Sequence, residues 1–425
     1  MVRSLARLLL LRGAGLLAAT ATGIVLARWL GPAGRGELAA LWSLASAVSV
    51  LFQGGCPEAS VVLLGSAATV RDRGQIVHSS VVVAFILSLV AGMGTAACIH
   101  WILPDQAHQW PLGAMLAAVP LIGVFLRHIV LATHGEVPFS KCQQVESVTL
   151  LLVVAAIAAS LSPTVASGAT AYLLASSAAL LLPTAMIYRH FPIREGAFEM
   201  VAPHVAWRLL RSGAPFALIG TASTICQRST VITLAASCGG EEAGQFVVAA
   251  ALQSIIAIIP SQAGTIVFVR ATQQIGESHA PNTLLRMLLV GTAATMAGAL
   301  ALSFFASPLL DHLYGESYAH SVALVRILAV AALAQGAITI LTNAMIGRGL
   351  PRGAIFAALT SLGTLLVVLY PMAMAFGAAG AAWAQVCAAA TGLLVISVFV
   401  YRSRDIWNAE VGTPSTSRRV ASHDA

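Results

Sequence analysis

Arg228 stands in the middle of an apolar run, flanked by Gln227, Ser229 and Thr230, with no acidic residue nearby in the chain. A guanidinium there offers a planar fork of donors that suits an anionic group such as a phosphate or a carboxylate. The competing reading is a side chain that snorkels out of the apolar layer or caps carbonyls on a neighbouring helix. Arg127 and His128 sit toward the end of another apolar run, placed to face an internal cavity or to reach a polar boundary. Arg326 and Arg28 lie near the ends of two more, where interfacial anchoring competes with ligand contact. Glu58 follows Gly54-Gly55-Cys56-Pro57, a stretch that should break a helix. A carboxyl so placed suits a proton carrier, or equally a salt bridge to an arginine. Anion binding by Arg228, Arg127, Arg326 and Arg28, and coupling by Glu58 and His128, are the chemistry these residues offer.

Other chemistries lack their residues. The six cysteines include no C-x-x-C pair, and most fall in apolar runs where Cys acts as a small apolar side chain. The eleven histidines lack metal-ligand spacing, and neither a P-loop nor a G-x-S-x-G elbow occurs. No catalytic residue, metal or cofactor is expected.

The elements that must position these charges follow from composition. Of the 425 residues, 58% are hydrophobic and only 9% charged, and the mean hydropathy is +0.87. A soluble exterior needs far more charge, so the chain reads as an all-α polytopic membrane protein. A span takes about 20 apolar residues. On that measure twelve fall at roughly 8–30, 37–64, 79–103, 112–133, 147–163 and 168–188, then 213–237, 245–268, 284–306, 321–346, 354–376 and 379–401. Gly31-Pro32 and Gly377 to Gly380 join neighbouring spans by short turns. The N-terminal run is too long for a cleaved signal. Trp29, Trp42, Trp101 and Trp110 fall near span ends, as interfacial anchors should.

Charge sets the expected orientation. Of 23 basic residues, all but Lys141 are Arg. With the N-terminus inside, most of them collect on the inner side, including Arg71, Arg73, Arg189, Arg208, Arg211 and Arg352. The outer turns hold little more than Arg35, and carry Asp105, Glu241, Glu242, Asp311 and Glu316. This positive-inside asymmetry places both termini in the cytoplasm and leaves the basic balance no argument for nucleic acid.

A weak internal repeat divides the chain. At a shift of 208, Leu26, Ala27, Gly31 and Gly36 align with Leu234, Ala235, Gly239 and Gly244; Gly168-Ala169 matches Gly380-Ala381 at 212. Six spans preserve orientation, so the halves should be parallel repeats about an axis along the membrane normal. The expected organisation is a first half over 1–190 and a basic cytoplasmic linker over 191–212, with Trp207, Leu209 and Leu210 on an interfacial helix. A second half follows over 213–401, then a polar tail over 402–425.

The segment ARWLGPAGRGELAAL (Ala27 to Leu41) resembles the first outer turn of polysaccharide-export and O-antigen (Wzx-type) flippases of the multidrug/oligosaccharidyl-lipid/polysaccharide exporter superfamily. QGGCPEASVVL from Gln53, GQFVVA from Gly244, LYGESYAHSVALVRIL from Leu313, GRGLPRGAI and FGAAGAAWAQV extend the resemblance along the whole chain. Where that family often has an acid two residues after an arginine in span seven, Thr230 follows Arg228.

The resemblance implies a flippase moving a polyprenyl-pyrophosphate-linked oligosaccharide across a bacterial inner membrane by alternating access. The partners it implies are that lipid, the surrounding membrane lipids and a downstream polysaccharide polymerase. Arg228 would then meet the pyrophosphate or a sugar carboxylate. Competing functions are a cation-coupled multidrug exporter of the same superfamily, the lipid II flippase branch, a membrane-embedded glycan polymerase or ligase, and a structural scaffold. An exporter of organic cations should show acidic cavity residues, and a polymerase a large outer loop, whereas the outer loops here run to only about fifteen residues.

Overall fold

The computed structural model describes residues 2–67, 69–191, 202–273, 280–347 and 350–402. The tail from 403, part of the expected linker (192–201) and Arg348 lie outside them. Among the described residues there are thirteen α-helices and no strand. They are α1 (Val2–Gln53), α2 (Cys56–Ser66), α3 (Val70–Ile102), α4 (Trp110–His134), α5 (Glu136–Ser160), α6 (Val165–Ala179) and α7 (Leu181–His190). Then come α8 (Pro203–Ser237), α9 (Gly240–Ile256), α10 (Ile258–Gln273), α11 (Ala280–Leu313), α12 (Ser321–Gly347) and α13 (Pro351–Arg402).

Eight of these segments are long and apolar enough to cross a membrane, or nine with the pair α9 and α10, which bend by 41° against each other. This is a multi-pass membrane protein. Two segments are too long for one crossing. The apolar part of α1 runs 41 residues and that of α13 runs 51, or about 60 and 75 Å against a hydrocarbon layer of about 30 Å. Each breaks at a glycine with positive φ, Gly31 (68°) and Gly377 (58°), a backbone region that a Cβ disfavours. Contacts show that both chains double back there. In α13, Phe356 stacks on Phe399 with ring centroids 5.6 Å apart. Further along, the Thr391 hydroxyl donates to that of Thr364 at 3.1 Å, and Gly380 lies against the Met372 carbonyl. In α1, Leu30 before the break and Leu38 after it both pack at Gly168. Counting these two helices twice and adding the more polar α8 gives twelve crossings.

The ends of the bundle differ. Gly31, Gly239, Gly315 and Gly377 turn the chain at one end, together with the acids Asp105, Glu241, Glu242, Asp311 and Glu316. Arg71, Arg73, Lys141, Arg189, Arg208, Arg211 and Arg352 lie at the opposite, basic end. There Thr69 and Asp72 form a reciprocal capping box that starts α3. Pro203 opens α8 at its first turn. Trp207, Leu209 and Leu210, expected on a separate interfacial helix, are therefore early turns of α8, with Leu209 buried and Trp207 exposed.

The apolar core falls into two main clusters. One holds residues from Leu26 to Ile187 with Val205 and Leu209; the other is mostly from Val231 to Ala388, joined by Ala27 and Ala39. Between them, at the turn end, two helix backbones touch. A Cβ on Gly36 would meet the Gly240 carbonyl and stand 2.6 Å from the Gly244 amide nitrogen, while one on Gly244 would meet the Pro32 carbonyl. Under the 208-residue shift these contacts exchange, Gly36 with Gly244 and Pro32 with Gly240. That reciprocity is the mark of a two-fold contact, built on small residues four apart.

Candidate functional site

Beneath this glycine contact lies a cavity of about 640 Å³ lined by both halves. Its lining follows helical periodicity. Arg35, Leu38, Ala39 and Trp42 come from one face of α1 at i, i+3, i+4 and i+7, and Val247, Ala250, Ala251 and Ser254 repeat that pattern on α9. Tyr172 enters from α6, and Ser223, Gln227, Arg228 and Val231 from α8.

The charged residues that line this cavity, among the described residues, are Arg35 and Arg228. Neither guanidinium has an ion-pair partner among the described residues, and the Arg35 Nε is buried without a hydrogen bond. Two cations in a weakly polarisable setting attract an anion far more strongly than they would in water. Gln227, Gln253, Gln335, Gln385, Thr339 and Ser361 add neutral donors and acceptors. Beside Arg228, at the family's acidic position, Thr230 is fully buried and accepts a hydrogen bond from the Gln385 amide at 3.0 Å. No carboxylate replaces it.

Arg127 does not line the cavity: its guanidinium pairs with Glu146 on α5. Glu146 is thereby a partner inside the first half. The structure brings the two coupling candidates together, with His128 Nε2 4.0 Å from Glu58 Oε1. His128 Nδ1 bonds the Val124 carbonyl at 2.8 Å, which leaves Nε2 turned toward α2. The other Glu58 oxygen is buried without a partner. This pair sits where α2 packs on α4, again outside the lining.

Arg28 lies at the turn end, donating from Nε to the Leu313 carbonyl at 2.8 Å and from its terminal nitrogen to the His312 carbonyl. It thus caps the last turn of α11. Next to it the Tyr318 hydroxyl donates to the Ala27 carbonyl at 3.1 Å. Burial pushes the Tyr318 phenol pKa up, against an opposing pull from Arg35, so it stays a donor at neutral pH. Arg326 is exposed near the start of α12 and does not line this cavity.

Two liners had been assigned elsewhere by sequence. Arg35 counted as a loop charge, yet it is in the first turns after Gly31, on the face of Leu38 and Trp42. Trp42 is no interfacial anchor: it packs against Tyr172 with ring centroids 4.8 Å apart and lines the cavity. The i, i+3, i+4, i+7 spacing from Arg35 was the available signal. Trp101, in contrast, is 88% exposed at the turn end. Among the described residues no group of three or more His, Cys, Asp or Glu could hold a metal ion.

The fold has solved counterparts. The lipid II flippase MurJ in an inward closed conformation aligns with a TM-score of 0.76 at 12% identity, over 93% of this chain and 87% of that one. An inward-facing multidrug resistance MATE family transporter of the MOP superfamily aligns at 0.73 and 14% identity, over 92% and 96%. A MOP superfamily transporter from Pyrococcus furiosus, described as having a binding pocket of reverse polarity, aligns at 0.62 and 15% identity, over 96% and 95%. No curated protein matches the sequence. The model of one family, polysaccharide biosynthesis protein, matches residues 1–270. That is well over half the chain, so the protein belongs to the polysaccharide biosynthesis protein family, and its fold matches those of the transporters above.

Proposed function

We propose that this protein is a flippase for an anionic, polyprenyl-pyrophosphate-linked oligosaccharide destined for a surface polysaccharide such as O-antigen, capsule or exopolysaccharide. The observation that carries the reading is the cavity between the halves, whose charged liners are Arg35 and Arg228. A pyrophosphate headgroup cannot cross hydrocarbon unaided. Unpaired guanidiniums in the cavity compensate its charge, neutral amides and hydroxyls take the sugar hydroxyls, and the polyprenyl tail stays in lipid. The halves rock about the cavity, which faces each side in turn. The protein lies in the bacterial inner membrane with the basic end and both termini in the cytoplasm, following the positive-inside asymmetry. A downstream polymerase takes the translocated lipid, and no bond is made or broken on this chain.

Glu58 and His128 are the coupling pair in this reading, because a carboxyl and an imidazole within 4.0 Å exchange protons while remaining apart from the substrate. A multidrug exporter for organic cations is disfavoured by a lining without a carboxylate. Deleting the gene in its host tests the flippase. Completed lipid-linked repeats, identified by mass spectrometry, should accumulate while the surface polymer disappears. An intact surface polymer without accumulation overturns it.

A further inference from the structure

The anion contact leaves two aromatic liners unused. Trp42 comes from α1 and Tyr172 from α6, and their rings are tilted by 31° rather than parallel. At 4.8 Å no ring fits between them, so a ligand meets only what the packed pair turns to the cavity. Both are only half buried, and both line the cavity. Neither the indole N–H nor the phenol O–H has a hydrogen-bond partner among the described residues. The Tyr172 phenol is within electrostatic reach of Arg228, and Arg35 stands two helical turns from Trp42 on the same face.

This juxtaposition suits a sugar beside a phosphate. One face of a pyranose ring is a patch of C–H bonds with slight positive charge, and the face of an indole or phenol ring is negative. Stacking buries the C–H patch while the ring's hydroxyls remain free for donors and acceptors at its rim. We infer that Trp42 and Tyr172 form a stacking subsite for the pyranose nearest the pyrophosphate, with Arg228 holding the phosphate next to it. The subsite deepens the flippase reading and rests on it. Stacking reads the ring's face rather than its substituents, so the subsite tolerates different first sugars.

The test is lipid binding to the full-length protein in nanodiscs, with two probes: undecaprenyl pyrophosphate, and the same lipid carrying one N-acetylglucosamine. Burying the C–H face of a pyranose against aromatic rings is worth about tenfold in affinity. Wild-type protein should bind the sugar-bearing lipid about tenfold more tightly than the bare one. Trp42→Leu should erase that preference while keeping its affinity for the bare lipid, which also reports that the variant is folded. Trp42→Phe should retain part of the preference. Equal binding of the two lipids by wild type overturns the subsite alone, as does a Trp42→Leu variant that weakens both lipids alike or neither. Wild-type protein that binds neither lipid overturns the flippase reading and the subsite with it.

Discussion

The side-chain amide of Gln385 donates to the Thr230 hydroxyl at 3.0 Å, two residues beyond Arg228, across the interface between α13 and α8. The pair is neutral, so no carboxylate stands beside Arg228 at this interface. Thr230→Asp should supply that carboxylate and lower transport of an anionic lipid at least about tenfold. Thr230→Val loses only the neutral bond, about 1 kcal/mol of stability, and should keep transport. Flux of lipid-linked glycan in reconstituted vesicles separates the two, and a fully active Thr230→Asp refutes the anion reading of the cavity.

Arg228 itself gives a graded series. Arg228→Ala should reduce flux about tenfold or more, because one of two unpaired cations is gone. Arg228→Lys should recover part of it, since a point charge remains without the bidentate fork. Normal flux through a stably inserted Arg228→Ala sinks the assignment.

Coupling is tested separately. Glu58→Gln and His128→Gln should each abolish acceleration of flux by an imposed proton gradient while leaving exchange without a gradient intact, because the pair lies outside the lining. Variants that still respond to the gradient would remove Glu58 and His128 from the coupling step.

The Arg127–Glu146 pair makes a stability prediction. Arg127→Met leaves Glu146 without its partner and should cost about 3–5 kcal/mol. Adding Glu146→Leu removes the orphaned charge and should restore most of the loss. Thermal unfolding in detergent of the single and double variants measures both. A double variant as unstable as the single one would show that the pair is not what holds α4 to α5.

Arg28 was a binding candidate and is a helix cap. Arg28→Ala should lower stability by about 1 kcal/mol and leave the affinity for undecaprenyl pyrophosphate unchanged. A tenfold loss of that affinity would return Arg28 to the cavity.

The crossings were legible because apolar runs alternate with charged turns, and the reversals because Gly31-Pro32 and Gly377 stand where no straight helix could continue. Arg228 was legible for the same reason: it is an isolated charge in an apolar run. Arg35 was not, since a charge four residues past a turn looks solvated until the pairing of α1 with α9 fixes which face it occupies. Trp42 was misread by position, because closeness to a span end says nothing about whether a ring faces lipid or cavity. Arg127 with Glu146, and Glu58 with His128, join different helices through packing, which no sequence spacing encodes.

The glycine contact at the turn end bears on how easily the halves part. Gly36, Gly240 and Gly244 meet mainly through backbone, with the Glu37 side chain alone lying against Gly240. The groups that meet across it, the Pro32 and Gly240 carbonyls and the Gly36 and Gly244 amides, are spaced four apart to bond within their own helices. Separating the helices there strands no polar partner and bares little hydrocarbon, so the contact opposes opening only weakly. A seal of that kind excludes water by closeness rather than by grip. In the flippase reading it would be broken and remade in every cycle, with the Arg28 and Tyr318 bonds to the other half at the same end supplying the grip that the glycines lack.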